Sequence, residues 1–316
     1  MTDQATLPLS AAPPTADILT LGLREKEQSG LKRAARSMLR ARWPVLSLFI
    51  LLVVIFVAIF APELAPKAPN RINLILRLKE PFARERTGEM EVIFGTDAMG
   101  RDVLSRLRYG ARISLLVGMT AVVIGGLLGT TLGILAGYFG GRVDDVIMRL
   151  ADIQLAFPFI LLAIMVLVIL GRGVLNLVLV LGVGQWVTYA RIARGTTMAQ
   201  REKEYIEAAH SIGAGNFRIM FWGILPNILA PLIVIASFNV ASVILSEASL
   251  SFLGLGVPPT VPTWGGMLAE SRDQLLANRW WLAVFPGLAI MLTVLSLNIL
   301  GDWLRDLLDP RLRGTM

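Results

Sequence analysis

ISLLVGMTAVVIGGLLGTTLGILAGYF, residues 113–139, carries no charged side chain and sets a small residue at every fourth position: Ala121, Gly125, Gly129, Gly133 and Gly137. At 1.5 Å rise per residue, about 20 residues cross a hydrocarbon layer of about 30 Å, so this stretch reads as a membrane-spanning helix. Four residues turn a helix through about 400°, which stacks the five small residues into one slowly drifting ridge without side chains. A second helix can approach such a ridge closely. The ridge specifies packing, within the chain or with another membrane subunit, and no chemistry.

Working outward, five more uncharged stretches follow the same rule: 45–61, 155–171, 174–189, 226–246 and 282–301. Backbone polar groups cannot stay unpaired in lipid, and a membrane barrel would show short alternating segments instead of solid apolar runs. The expected fold is therefore an all-α membrane protein with six transmembrane helices. Composition agrees, with 55% hydrophobic residues and 17% charged against about 25% charged in soluble domains. The first run starts too far from Met1 for a secretory leader of about 15–30 residues and reads as a retained anchor.

Six spans put both termini on one side of the membrane. With the N-terminus inside, cytoplasmic segments hold 17 Lys and Arg against 13 outside, and the positive-inside rule then places both termini in the cytoplasm. Residues 62–112 carry most of the outside charge, but long translocated segments weaken the rule. The chain divides into a cytoplasmic tail (1–43), a first span with a periplasmic segment (44–112), a five-helix transmembrane core (113–303) and a cytoplasmic C-terminal tail (304–316).

Several functions are excluded by what is missing. There is no Cys and a single His, His210, so neither a thiolate or His-cluster metal site nor a thiol nucleophile is available. None of the five lysines follows a glycine, so a phosphate-binding loop of the G-x-x-x-x-G-K-[ST] type is absent. Any ATP used must be bound by another chain, with its magnesium; this chain is expected to bind no cofactor and to contain no catalytic residue. The net charge of +7 comes from residues flanking apolar spans, where they orient helices and meet anionic membrane lipid, so no nucleic-acid partner is expected.

The longest cytoplasmic stretch between spans, residues 190–225, looks ordered. Residues 197–212 read as an amphipathic helix that Gly213 and Gly215 break. Phe217, Ile219, Met220, Phe221 and Ile224 then start a second apolar face, which stops at Pro226. Ala208 and Ala209 would let a partner approach the backbone, and Glu207 offers it a charge.

Within this stretch, EYIEAAHSIGAGNFRIMFWGILP, residues 204–226, resembles the E-A-A…G…I-L-P signature of permeases of binding-protein-dependent ABC transporters. Glu207, Ala208, Ala209, Gly213, Ile224, Leu225 and Pro226 match it; Ile212 departs from the Asp that many members carry before the glycine. Four further blocks, 94–118, 136–153, 250–268 and 301–314, resemble the second permease of dipeptide, oligopeptide and nickel importers. The resemblance implies a type I ABC importer permease fold in the bacterial inner membrane, with the 196–225 loop as a coupling helix seated in an ATPase. On that reading Glu207, Ala208, Ala209, Gly213, Gly215, Phe217 and Pro226 serve the coupling. It also implies the partners: a second homologous permease, two ATPase subunits or domains, and an extracytoplasmic substrate-binding protein.

Short peptides are the expected cargo, with nickel chelates or glutathione-like compounds as alternatives on the same architecture. An ATP-independent secondary transporter would need ionisable residues inside its spans for ion coupling, and the six stretches contain none. Asn239, Ser242 and Ser246 lie on one side of the fifth span, and Gln185 and Thr188 are i, i+3 in the fourth; both sets are candidates to line a path or to bond between helices. Glu247, just beyond, is expected to pair with an interfacial arginine. Residues 96–112, with Thr96 and Asp97 as caps, are expected to form an amphipathic helix in the outer interface, and Trp280 and Trp281 an aromatic belt.

Overall fold

A computed structural model describes residues 42–83 and 92–308 of the chain. Nearly all of the expected N-terminal tail and most of the C-terminal tail lie outside the described residues. Among those described there is no strand, only an isolated bridge between Thr96 and Asp102.

In chain order the main helices are α1 (Arg42–Ile59), α2 (Val103–Phe139), α3 (Gly141–Leu155), α4 (Phe159–Leu170), α5 (Val174–Arg201), α6 (Glu204–Ser211), α7 (Leu225–Phe252), α8 (Trp264–Leu275) and α9 (Trp281–Leu308). Among the described residues, five runs are long and apolar enough to cross a membrane: α1, α2, α5, the continuous run Asn216–Phe252 that ends in α7, and α9. A sixth crossing is available only if α3 and α4, bent by 88°, count as one. The third expected span, 155–171, is thus not a straight helix. Pro158 caps α4 and cannot continue α3, and the 12 residues of α4 reach only about 18 Å.

The pairing of α2 with α5 organises the core. A Cβ added at Gly129 would lie 2.2 Å from the Trp186 carbonyl oxygen, and at Gly133 2.4 Å from that of Ala190. Gly125 and Gly137 meet the carbonyls of Gly182 and Arg194 in the same way, at 2.6 and 2.7 Å. The ridge therefore faces a helix of its own chain. α3 folds back along α5, with Asp144 paired to Arg194, Asp152 to Arg191 at 2.7 Å, and Gln154 bridging the Trp186 indole and the Gly184 carbonyl.

At the other end, the expected interfacial helix over 96–112 is not separate. Residues 96–102 form a loop, Asp102 caps α2 by accepting from the Ser105 N–H at 2.7 Å, and the helix runs unbroken to Phe139. Thr96 instead bonds the backbone of Leu76 and Lys79. Asp97 joins a buried ion network: it pairs with Arg101 at 2.6 Å and Arg106 at 2.7 Å, and Glu270 of α8 pairs with the same two arginines at 2.7 and 2.5 Å. Those arginines face protein instead of lipid head groups, because two carboxylates satisfy them there. Trp281 likewise leaves the expected belt. It is buried against Val103, Met267 and Leu282 and donates to the Thr96 carbonyl, whereas Trp280 remains exposed.

Candidate functional site

α5 does not end with the uncharged stretch at residue 189. It carries the fourth span to Arg201, and α6 begins three residues later, so the expected amphipathic stretch 197–212 is two helices with a break at Glu202 and Lys203. α6 ends in a Schellman turn: the Gly213 N–H donates to the His210 carbonyl at 2.9 Å and the Ala214 N–H to that of Ala209 at 3.0 Å. Gly213 holds φ at +78°, the left-handed region that an L side chain resists. The turn redirects the chain into Asn216–Arg218 and then into a π-helical segment, Ile219–Ile224.

Pro226 does not stop this run. It sits in the first turn of α7, where a missing N–H costs nothing within that helix. The widened turn before it follows from the same residue: with no Pro226 N–H to reach the i−4 carbonyl, the Leu225 N–H bonds the Met220 carbonyl five residues back.

The segment shows a charged and small face beside an apolar one. Glu207, Ala208, Gly213, Gly215 and Phe217 are exposed and Ala209 is half-buried. Ile206 alone of α6 is fully buried and packs into the main core. Ile212, Phe217 and Trp222 are 85%, 64% and 73% exposed, an apolar patch at the rim of the groove between Tyr205, Ala209 and Arg218. Contiguous apolar exposure of this kind marks a surface that meets another protein or lipid.

The polar residues expected along a path are dispersed. Asn239 is buried, and its Nδ2 has no hydrogen-bond partner. Gln185 and Ser246 are half-buried, while Thr188 and Ser242 are exposed. Ser246 is satisfied within its own helix by the Ser242 carbonyl at 2.9 Å. Not visible in the sequence is the buried Tyr189 hydroxyl on α5, which faces the Asn239 side chain.

Glu247 corrects a further expectation. It is fully buried, and no arginine pairs with it among the described residues. Ser251 donates to it at 2.7 Å and Ser114 of α2 at 3.4 Å, while the Ser114 oxygen accepts from the Trp264 N–H. The carboxyl is a junction between α2, α7 and the start of α8. An amide can occupy such a junction and a hydrocarbon cannot, so Glu247→Leu should cost about 1–3 kcal/mol and Glu247→Gln much less. Thermal unfolding in detergent checks this; equal losses for both would mean the carboxyl is held by charge.

Comparison with known proteins follows this geometry. Residues 129–314 match the family described as binding-protein-dependent transport system inner membrane component, and residues 29–81 the N-terminal TM domain of oligopeptide transport permease C. The di/tripeptide transport system permease protein DppC of Pseudomonas aeruginosa (strain UCBPP-PA14) is 43% identical over 90% of this chain and 94% of its own length. The dipeptide transport system permease protein DppC of Alkalihalophilus pseudofirmus is 42% identical over 90% of each. The glutathione transport system permease protein GsiD of Pectobacterium atrosepticum is 47% identical over 70% of this chain and 73% of its own. Among solved structures, a chain of the MetNI methionine ABC transporter in inward-facing conformations superposes with a TM-score of 0.52. At 18% identity over 65% of this chain and 96% of that one, it shares the fold.

Proposed function

Since the chain belongs to the family of binding-protein-dependent transport system inner membrane components, we propose that it forms one half of the translocation path of an ATP-driven importer for short peptides. It is a membrane permease subunit. The observation that supports peptides is the 43% identity, across nine-tenths of the chain, to a permease named for di- and tripeptides.

In this reading, a second homologous permease supplies the other half of the path, and two ATPase subunits or domains hold ATP and magnesium. An extracytoplasmic binding protein delivers cargo. The termini lie in the cytoplasm of a bacterium, and α6 with its flanking turn, from Glu207 to Pro226, seats in the ATPase. Gln185, Thr188, Asn239, Ser242 and Ser246 contribute hydrogen-bonding groups along the path. The mechanism is alternating access: closure of the motor around nucleotide moves α6, and the helices joined to it reorient the path. No bond is made or broken by this chain.

A second cargo has its own support in the 47% identity to a glutathione permease. Deleting the gene in a strain that needs a supplied amino acid separates the two. Loss of growth on di- and tripeptides, with glutathione use intact, supports the peptide reading; the converse supports glutathione, and unchanged use of both contradicts either.

A further inference from the structure

Tyr138, the residue after the last glycine of the ridge, reaches both ends of the coupling segment. Its backbone carbonyl accepts from the Arg201 guanidinium at 2.8 Å, at the last residue of α5. Its hydroxyl donates to the Asn216 side-chain oxygen at 3.0 Å, at the first residue of the run after α6. The same hydroxyl lies 3.4 Å from His210 Nε2, on α6 itself, with the two rings 6.3 Å apart and inclined by 19°. Asn216 and His210 are exposed, but Tyr138 is only 7% exposed, so its ring is fixed by the core while its hydroxyl projects toward the coupling segment.

A second polar link leaves α6 in another direction. The Tyr205 hydroxyl donates to the Gly223 carbonyl at 3.3 Å and accepts from Asn227 at 3.3 Å, which ties α6 to the π-helical segment and α7. Displacement of α6 is therefore handed to two spans by two different tyrosines. The Tyr205 hydroxyl also lies 3.0 Å from the Gln200 side-chain oxygen at the end of α5, whereas the Tyr138 link reaches α2, which carbonyl-to-glycine contacts pack tightly against α5. We propose that Tyr138 is a positioning residue for energy coupling: its hydroxyl clasps the coupling segment at Asn216 and His210, so that ATP-driven movement of α6 displaces α2 and α5 together. This rests on the transport reading above.

The test uses the complete importer in proteoliposomes, with radiolabelled dialanine as the probe and uptake measured per ATP hydrolysed. Tyr138→Phe keeps the ring and removes the clasp. Uptake per ATP should fall about three- to tenfold, the range expected from loss of one hydrogen bond, with the yield of complex unchanged. Asn216→Leu should give the same loss, Asn216→Asp should stay near wild type because it keeps the acceptor, and the Tyr138→Phe, Asn216→Leu double variant should be no worse than either alone.

Equal coupling ratios in wild type and Tyr138→Phe overturn the inference. So do losses that multiply in the double variant, or a fall in uptake that only tracks the yield of complex. Wild-type vesicles that take up no peptide despite hydrolysing ATP count instead against the cargo reading.

Discussion

Gly129→Ala, which adds one methyl group, should cost the protein about 3 kcal/mol, and Gly129→Leu should leave no folded complex to recover from the membrane. The new Cβ would sit 2.2 Å from the Trp186 carbonyl oxygen, 2.7 Å from the Tyr189 Cβ and 3.0 Å from the Ala190 nitrogen. Two of these three neighbours are backbone atoms of α5, so no side-chain substitution on that helix can make room. The helices must separate, and the contacts at Gly125 and Gly133 separate with them. Gly195, on α5 itself, is the control: nothing lies within 4 Å of its added Cβ, and Gly195→Ala should be neutral or stabilise by about 0.5–1 kcal/mol through helix propensity. Recovery and thermal stability in detergent read out all three variants. Wild-type stability in Gly129→Ala would show that α2 and α5 are not packed as described.

Gly213→Pro should abolish uptake, by more than about tenfold, while membrane insertion and yield stay normal. Three local requirements fail together. Proline holds φ near −65° where the turn needs +78°, it removes the N–H that donates to the His210 carbonyl, and it disfavours the helical backbone of the preceding residue. Nothing lies within 4 Å of a Cβ added at Gly213, so no packed neighbour is disturbed and the damage stays in the turn that orients α6. Gly213→Ala should be intermediate, since a left-handed alanine costs only about 1–2 kcal/mol. Uptake and ATP hydrolysis by the assembled importer measure the effect. Normal uptake in the proline variant would mean that the angle between α6 and the following run is irrelevant to coupling.

The spans were legible because lipid leaves the chain little choice: an unbroken apolar run must become a helix. The glycine ridge was legible for a similar reason, since its fourfold spacing has few uses besides close approach, although the sequence left its partner open. What escaped the sequence was set by residues far away in the chain. Arg101 and Arg106 read as surface charges because their partner Glu270 lies 169 and 164 positions on. Glu247 reads as the partner of an arginine because Ser114, 133 positions earlier, gives no local sign of facing it. Pro226 reads as a stop in the sequence because a proline signals a break equally well just after a helix and in its first turn. The bend at Pro158 was hidden in an uncharged run whose hydropathy does not register direction.

The segment 204–226 divides the same way. Its exposed turn and small residues are local and could be read directly, whereas the Tyr138 contact required α2 and α6 to be placed side by side.

The central claim is that a separate ATPase drives this chain through α6. The absence of cysteine from the sequence permits a direct measurement: Ile212→Cys puts a unique thiol at a position 85% exposed, and a short thiol-to-amine cross-linker is applied to the assembled importer with and without ATP. The account predicts one principal adduct, to the ATPase subunit, whose yield changes with nucleotide. ATP-driven uptake at the wild-type rate with no adduct to any ATPase would contradict it.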